Sequence, residues 1–543
     1  MKKIHGIGAS GGIVVGCLAL HRSSKAKIEK RRVTDTKGEL ARLEAAQREA
    51  VGTLNKIYLQ SLKKVGEKDS MIFQIHMMML QDKDFSEAVR EKIQKEQVNA
   101  EYAVWTAGNE FADRFAQMDN EYMRSRAADV TDISQRLIQC LDKTTGSNAW
   151  LLDKPSIVAA DELTPSETMQ LDKAKVLAII TRGGSKTSHS AILSRTMGIP
   201  SVVGLKEEFD FLKDGFCVAV DGSSGEVIIE PDEATKAACE KKRSEYLQKR
   251  RELQKLAGAK IVSKSGRKIE INANIGHPED VQGALENGAD GIGLFRSEFL
   301  YMERNSLPTE DEQFQAYKAV LEKMQGRSVI VRTFDIGADK QVPYLNLPKE
   351  ANPALGYRAI RICLDRTDLF YTQLRALLRA SVYGKLKIML PMIISPSEVK
   401  AAKAAVEKVK ADLTANKIAF AQNIKIGIMI ETPAAVMLTE ELAKECDFFS
   451  IGTNDLTQYT LAVDRMNGNI SKLYDQRHPA VLKMIEITAR NAHKAGISVG
   501  ICGESAADPA LTEFYLKTGI DELSVAPSSV PRLKEAIKEA VLK

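Results

Sequence analysis

Seven cysteines are scattered through 543 residues without a CxxC pair, so neither a disulfide framework nor a structural zinc site is expected. No apolar run reaches the roughly 18 residues of a membrane helix. The N-terminal MKKIHGIGASGGIVVGCLAL is short and broken by glycine, and it reads as neither signal peptide nor membrane span. Charge of one sign is also missing: 77 basic against 72 acidic residues leave +5, which gives nucleic acid no general hold. A P-loop is absent. Lys186 and Thr187 imitate its end, but Ser185 and Ile180 stand where GxxxxGK[ST] requires glycines. These absences describe a cytoplasmic chain of roughly three or four domains, with no membrane and no nucleic-acid partner.

Gly6, Gly8 and Gly11 spell GxGxxG, yet too few residues precede them and the strand-like GIVVGCLAL follows where a nucleotide site needs a helix. A turn leading into a strand is expected instead. From Thr34 to Lys143 proline is absent, and apolar residues recur at spacings of three and four (Leu40, Leu43, Val51, Leu54, Tyr58, then Val104, Phe111, Phe115). That pattern predicts an inserted bundle of about four helices. Its methionine-rich MIFQIHMMMLQDKDF fits core packing or an adaptable partner surface, with His76 a packed histidine. Strand-like runs return from residue 144 and end at Pro231, so residues 1–33 and 144–231 form one discontinuous α/β domain. The charged, glycine-poor segment 232–260 is a helical linker.

From Ile261 to Lys543 eight apolar runs alternate with helical patterns: IEINANI, GIGLFR, VIVRTFD, KIMLPMI, KIGIMIE, FFSIGTND, SVGICGE and ELSVAP. Eight strand-helix units in about 283 residues predict a (β/α)8 TIM-type barrel. Asn274, Arg296, Arg332, Asp335, Glu431, Asn454, Asp455, Cys502 and Glu504 fall at or just past C-terminal strand ends, the face where such barrels place their active sites. Arginines converging from different strands suit a substrate with phosphate and carboxylate oxygens, and Arg296, Arg332, Arg358 and Arg465, with Lys340, are the candidates. Glu431 and Asp455 could jointly hold Mg2+, a hard cation satisfied by few carboxylates, or could be plain salt-bridge partners. Cys502 is either a buried filler or an acid of shifted pKa.

The stretch TRGGSKTSHSAILSRTMGIPSVVG, residues 181–204, follows an apolar strand, Val176–Ile180, and opens a helix from about Ser190. It sets His189 at a positive helix end, where anions and above all phosphate gather. Taken alone, a capping cluster with a surface histidine explains it as readily.

The segments DELTPSETMQL, TSHSAILSR with GIPSVVG, GIGLFRSEFLYM, RTFDIGADK, NPALGYRAIR, LPMI, GIMIETPAA, SIGTNDLTQYTLAVDR and ICGE together make the choice. Over essentially its full length the sequence resembles the enzyme I family of the bacterial sugar phosphotransferase system, the phosphoenolpyruvate-protein phosphotransferases. The resemblance implies that His189 takes the phosphoryl group of phosphoenolpyruvate and passes it to a histidine of the carrier protein HPr. It implies that the hydroxyl of Thr168 orients that imidazole. Arg296, Arg332, Asn454 and Arg465 match phosphoenolpyruvate-binding positions, Glu431 and Asp455 the magnesium ligands, and Cys502 the acid that protonates the enolate. Lys340 and Arg358 match further positions in the site. By the same resemblance residues 34–143 are the HPr-binding bundle, with IFQIHMMMLQD as its docking helices. The histidine domain swivels between HPr and the barrel, 261–543, through which family members dimerise.

Some positions depart from the family pattern: Gly11 for proline, Ser185-Lys186 for Gly-Arg, Ala338 for glycine, and Ser505 for methionine after CGE. Lys186 keeps the charge but loses the planar fork. Two alternatives differ in other ways. Pyruvate phosphate dikinase and phosphoenolpyruvate synthase share the histidine domain and the barrel but need an ATP-grasp domain, for which no room is expected here. An inactive HPr-binding scaffold would not need the catalytic residues, all of which are present.

Overall fold

The computed structural model describes the chain apart from residues 22–27, 118–120, 143–151, 153, 164–166, 168–170, 173, 186–187, 189–190, 192–193, 196, 260, 264–265, 267, 303, 305, 338–341, 466, 468 and 541–543. It divides into two compact units, Met1–Lys249 and Arg250–Lys543.

In the first unit an eight-stranded sheet is assembled from β1 (Lys2–His5), β2 (Ile7–Ser10), β3 (Ile13–His21), β4 (Ser156–Ala160), β5 (Val176–Thr181), β6 (Ser201–Val203), β7 (Cys217–Asp221) and β8 (Glu226–Ile229), in the order β1-β8-β7-β3-β4-β5-β6-β2. Strand β3 precedes the helical insertion and β4 follows it. The two pair in parallel from Leu18 opposite Ile157 to His21 opposite Ala160, which makes one domain from two pieces of chain. Strands β4 and β5 read as unbroken apolar runs because both their faces are covered. Ile157, Ala159, Ala178 and Ile180 enter one core and Val158, Ala160 and Ile179 the other. The GxGxxG glycines lie in and between β1, β2 and β3, where strands rather than a helix follow.

The insertion contains α1 (Thr36–Leu80), α2 (Lys83–Glu96), α3 (Ala100–Ala116) and α4 (Glu121–Leu141). Asp35 caps α1 by accepting from Gly38 N, and Asp82 caps α2 by accepting from Phe85 N, both at 2.9 Å. Leu43, Ala46, Ala50, Leu54 and Ile57, spaced by three and four, are buried along one face of α1. In the methionine run Met77 and Met79 pack against this core, while Met78 is 70% exposed.

His76 is fully buried between two carboxylates of α4, with Nε2 3.3 Å from Asp129 and Nδ1 3.3 Å from Asp132. Arg126 holds the second oxygen of Asp129 at 2.9 Å. Burial alone would lower the imidazole pKa, but the two aspartates outweigh it and push it up to about 9. Because the folded value lies above the unfolded one, the stabilisation is complete below about pH 6.5 and lost as pH rises to about 9, up to about 3 kcal/mol. Urea unfolding followed by tryptophan fluorescence checks this, since Trp105 and Trp150 both belong to the first unit. The midpoint should fall between about pH 6 and about pH 9 in the wild type, and this fall should flatten in a His76→Leu, Asp129→Asn, Asp132→Asn variant.

Helix α5 (Glu233–Leu256) is largely solvated, as its charge density predicts. After it the second unit closes a barrel from β9 (Glu270–Ile275), β10 (Ile292–Arg296), β11 (Ser328–Arg332), β12 (Lys385–Leu390), β13 (Lys425–Ile430), β14 (Phe448–Ile451), β15 (Ser498–Ile501) and β16 (Glu522–Val525). All neighbours are parallel, and β16 returns to β9. These are the eight strands expected from the apolar runs. Alternation sorts their side chains: Val329, Val331, Ile428 and Ile430 join the large core, while Leu294, Ile330, Met389, Met429, Phe448 and Cys502 form a separate cluster.

Candidate active site

Arg296 and Arg332 are the last residues of β10 and β11 and stand opposite each other in register. Arg296 is exposed. Arg332, 8% exposed, reaches Asp335 with Nη1 at 2.8 Å and grips Glu298 with Nη2. Burial opposes its charge, but Asp335, Glu298 and Glu431 outweigh that cost and raise its pKa further. Arg358 donates through Nη2 to the other oxygen of Asp335 at 2.8 Å, and the same nitrogen lies 3.8 Å from Asp455. One carboxylate thus spaces two buried guanidiniums. The backbone after Arg358 is strained, because Ala359 has φ 54° and ψ −128°, a region suited to glycine.

Glu431 follows β13, is 1% exposed and accepts a hydrogen bond from the backbone of Met392 at 2.6 Å. Burial, then the charges of Asp455 and Asp335, push its pKa up to about 8. A carboxyl destabilised by another carboxylate is relieved by a hard cation between them, so the donor set fits Mg2+ with its remaining positions left to substrate oxygens. Among the described residues no group of three or more His, Cys, Asp or Glu is placed to hold a metal.

Asn454 and Asp455 occupy the first turn of the helix Thr453–Leu461. Asn454 donates through Nδ2 to Glu504 at 3.1 Å, and its Oδ1 accepts from Glu504 N at 2.9 Å and from Gln476 at 3.0 Å. Cys502 directly follows β15, and its Sγ donates to the carbonyl of Ile451 at 3.7 Å. Burial pushes the thiol up to about 11, so it carries its proton at neutral pH. Asn274 braces this strand end, donating to the carbonyls of Cys502 at 3.0 Å and Ser524 at 3.1 Å. Arg465 is exposed after that helix, its backbone N–H bound by Gln458 at 3.2 Å.

His189, Thr168, Lys186 and Lys340 lie outside the described residues. Around His189 the turn after β5 is defined: Thr181 Oγ1 donates to the carbonyl of Gly183 at 2.7 Å, Gly184 takes φ 98°, and Ser188 Oγ donates to the carbonyl of Ser185 at 2.9 Å. Ala191 and Ser194 are buried beyond it.

The structure therefore links Arg332, Arg358, Glu431 and Asp455 through contacts or charge, and links Asn454 to the Cys502 loop. Sequence reasoning missed Glu298, 5% exposed in the turn Ser297–Leu300. Its one signal was a carboxylate two residues past a strand-end arginine, which resembles ordinary turn polarity.

Known proteins show the same arrangement of parts. Family models described as PEP-utilising enzyme match here in three pieces: the N-terminal part at residues 5–126, the mobile domain at 152–225 and the PEP-binding domain at 250–542. The phosphoenolpyruvate-protein phosphotransferase of Geobacillus stearothermophilus is 48% identical over 542 residues, 99% of this chain and 94% of the relative. Those of Priestia megaterium and Bacillus subtilis are each 46% identical, over 538 and 530 residues, covering 99% and 98% of this chain and 94% and 93% of the relatives. Identity at this level over nearly the whole length, on a closed parallel barrel with buried arginines at its mouth, shows that the chain belongs to the phosphoenolpyruvate-protein phosphotransferase family of enzymes.

Proposed function

We propose that the chain moves the phosphoryl group of phosphoenolpyruvate to His189 and then to a histidine of HPr, releasing pyruvate, as the first step of sugar transport by the phosphotransferase system. The observation that carries this reading is the barrel mouth itself, where strand ends and the segments that follow them supply two buried guanidiniums, a carboxylate pair suited to a hard cation and a protonated thiol.

Arg332 and Arg358, with Arg296, Arg465 and Lys340, bind the phosphate and carboxylate oxygens, and Asn454 donates to the phosphate. Glu431 and Asp455 would hold Mg2+, which when bound supplies positive charge to the phosphoryl oxygens. The neutral imidazole of His189, its tautomer set by Thr168, attacks phosphorus in line. The P–O bond to the enol breaks and its electron pair stays on the enolate oxygen. Cys502 gives its Sγ proton to C3, completing pyruvate, and the thiolate regains a proton from solvent. Catalysis is mainly positioning and charge stabilisation, which these residues are arranged to supply. Residues 34–143 serve HPr, with the exposed Met78 in the docking segment, and the barrel domain 261–543 forms the homodimer. The chain works in the cytoplasm. Among the described residues no helix is long and apolar enough to cross a membrane.

Mixing the enzyme with labelled phosphoenolpyruvate and Mg2+ should leave one acid-labile, base-stable phosphoryl group per chain, in the peptide containing His189, with an equal yield of pyruvate. HPr should discharge it. A hydroxylamine-labile acyl phosphate, or pyruvate without bound label, would overturn the reading.

A further inference from the structure

Behind the barrel mouth three hydroxyls stand in series. Tyr515 donates to Ser505 Oγ at 2.7 Å, and Ser505 donates to Thr453 Oγ1 at 2.8 Å. Tyr515 and Thr453 are fully buried and Ser505 is nearly so. The relay joins two segments that both carry site residues. Thr453 begins the helix whose next two residues are Asn454 and Asp455, and Ser505 lies in the turn Glu504–Ala507, three residues past Cys502. The two segments touch closely: a Cβ on Gly503 would sit 2.0 Å from Thr453 Oγ1, so the residue between Cys502 and Glu504 has to be glycine. Outside the relay the same segments are tied by the Asn454–Glu504 pair, but Glu504 is exposed and water can replace that link. The Ser505 link is buried. Removing its oxygen takes the acceptor from the Tyr515 hydroxyl and the donor from Thr453, both fully buried.

We propose that Ser505 is a positioning residue for proton delivery, setting the distance between the Cys502 thiol and the substrate held by the Asn454–Asp455 turn. This rests on the role of Cys502 given above. A proton moves efficiently only between groups within hydrogen-bond reach, so a shift of a fraction of an ångström slows protonation while leaving the phosphate contacts in place.

The test uses the full chain, Mg2+ and HPr, with phosphoenolpyruvate stereospecifically deuterated at C3 and turned over in tritiated water. Wild type should yield pyruvate with a chiral methyl group. Ser505→Ala should lower kcat about 10-fold with KM for phosphoenolpyruvate within about 2-fold, and its pyruvate should lose methyl chirality, because enolpyruvate escapes and ketonises in bulk water. Ser505→Thr keeps the hydroxyl and should restore both readouts, and Tyr515→Phe should fall between. Chirality preserved in Ser505→Ala while Cys502→Ala loses it would overturn the proposal alone. Chirality preserved in Cys502→Ala would overturn the role of Cys502 and the proposal with it.

Discussion

Replacing His189 with alanine should abolish phosphoryl uptake from phosphoenolpyruvate, lowering bound label by about four orders of magnitude or more. The reason is that no other histidine can stand in. The chain has seven: His5, His21, His76, His189, His277, His478 and His493. His76 is sealed between Asp129 and Asp132, His21 faces Glu167 at 3.6 Å, His493 faces Asp521 at 3.2 Å, and His277 packs against the ring of Phe299. His478 caps a helix by accepting from Ala480 N, and His5 lies on an edge strand. Of these only His277 follows a parallel strand ahead of a helix, and its backbone N–H is held by Asp280 at 2.9 Å while its ring packs on Phe299. Because the barrel mouth is untouched, His189→Ala should still bind phosphoenolpyruvate and Mg2+, which calorimetric titration reads directly. Label at wild-type stoichiometry in His189→Ala would remove the histidine from the mechanism.

The parts of this architecture that show in the sequence are those with a local period. Barrel strands announce themselves because each is a short apolar run ended by polar residues, and the polar residues are the ones that reach the mouth. The bundle shows through spacings such as Leu43, Ala46, Ala50, Leu54 and Ile57. What does not show is pairing over distance. Glu298 and Arg332 are 34 residues apart, and nothing in GLFRSEF separates a buried counter-ion from a turn carboxylate. Asp335 could be placed at a strand end but not between two guanidiniums, since its partners lie on opposite sides of it in the chain. The Tyr515–Ser505–Thr453 relay spans three segments, so its components look like unrelated small polar residues. His76 was legible as a packed histidine, whereas its two aspartates arrive from another helix.

On the proposed reading, Arg332→Ala should lower kcat/KM for phosphoenolpyruvate by about 10³-fold or more, because it removes a guanidinium charge from oxygens whose charge shifts in the transition state. The same change should destabilise the barrel by about 3–5 kcal/mol, since Glu298 loses its guanidinium and Asp335 loses one of the two that flank it. Lost activity alone would therefore not separate chemistry from unfolding. Pairing Arg332→Met with Glu298→Gln does separate them. The double variant has no stranded carboxylate at Glu298, and replacing a buried ion pair by neutral groups of similar volume is close to neutral for stability. Differential scanning calorimetry should then show most of the lost Tm recovered, while kcat/KM stays near that of Arg332→Ala. Arg332→Lys, which keeps a charge without the fork, should lie between at about a 10²-fold loss. If the double variant regained activity together with Tm, Arg332 would be a structural counter-ion of Glu298 and not a substrate-binding group. If neither returned, Glu298 would itself be needed at the mouth, with a role beyond holding the arginine.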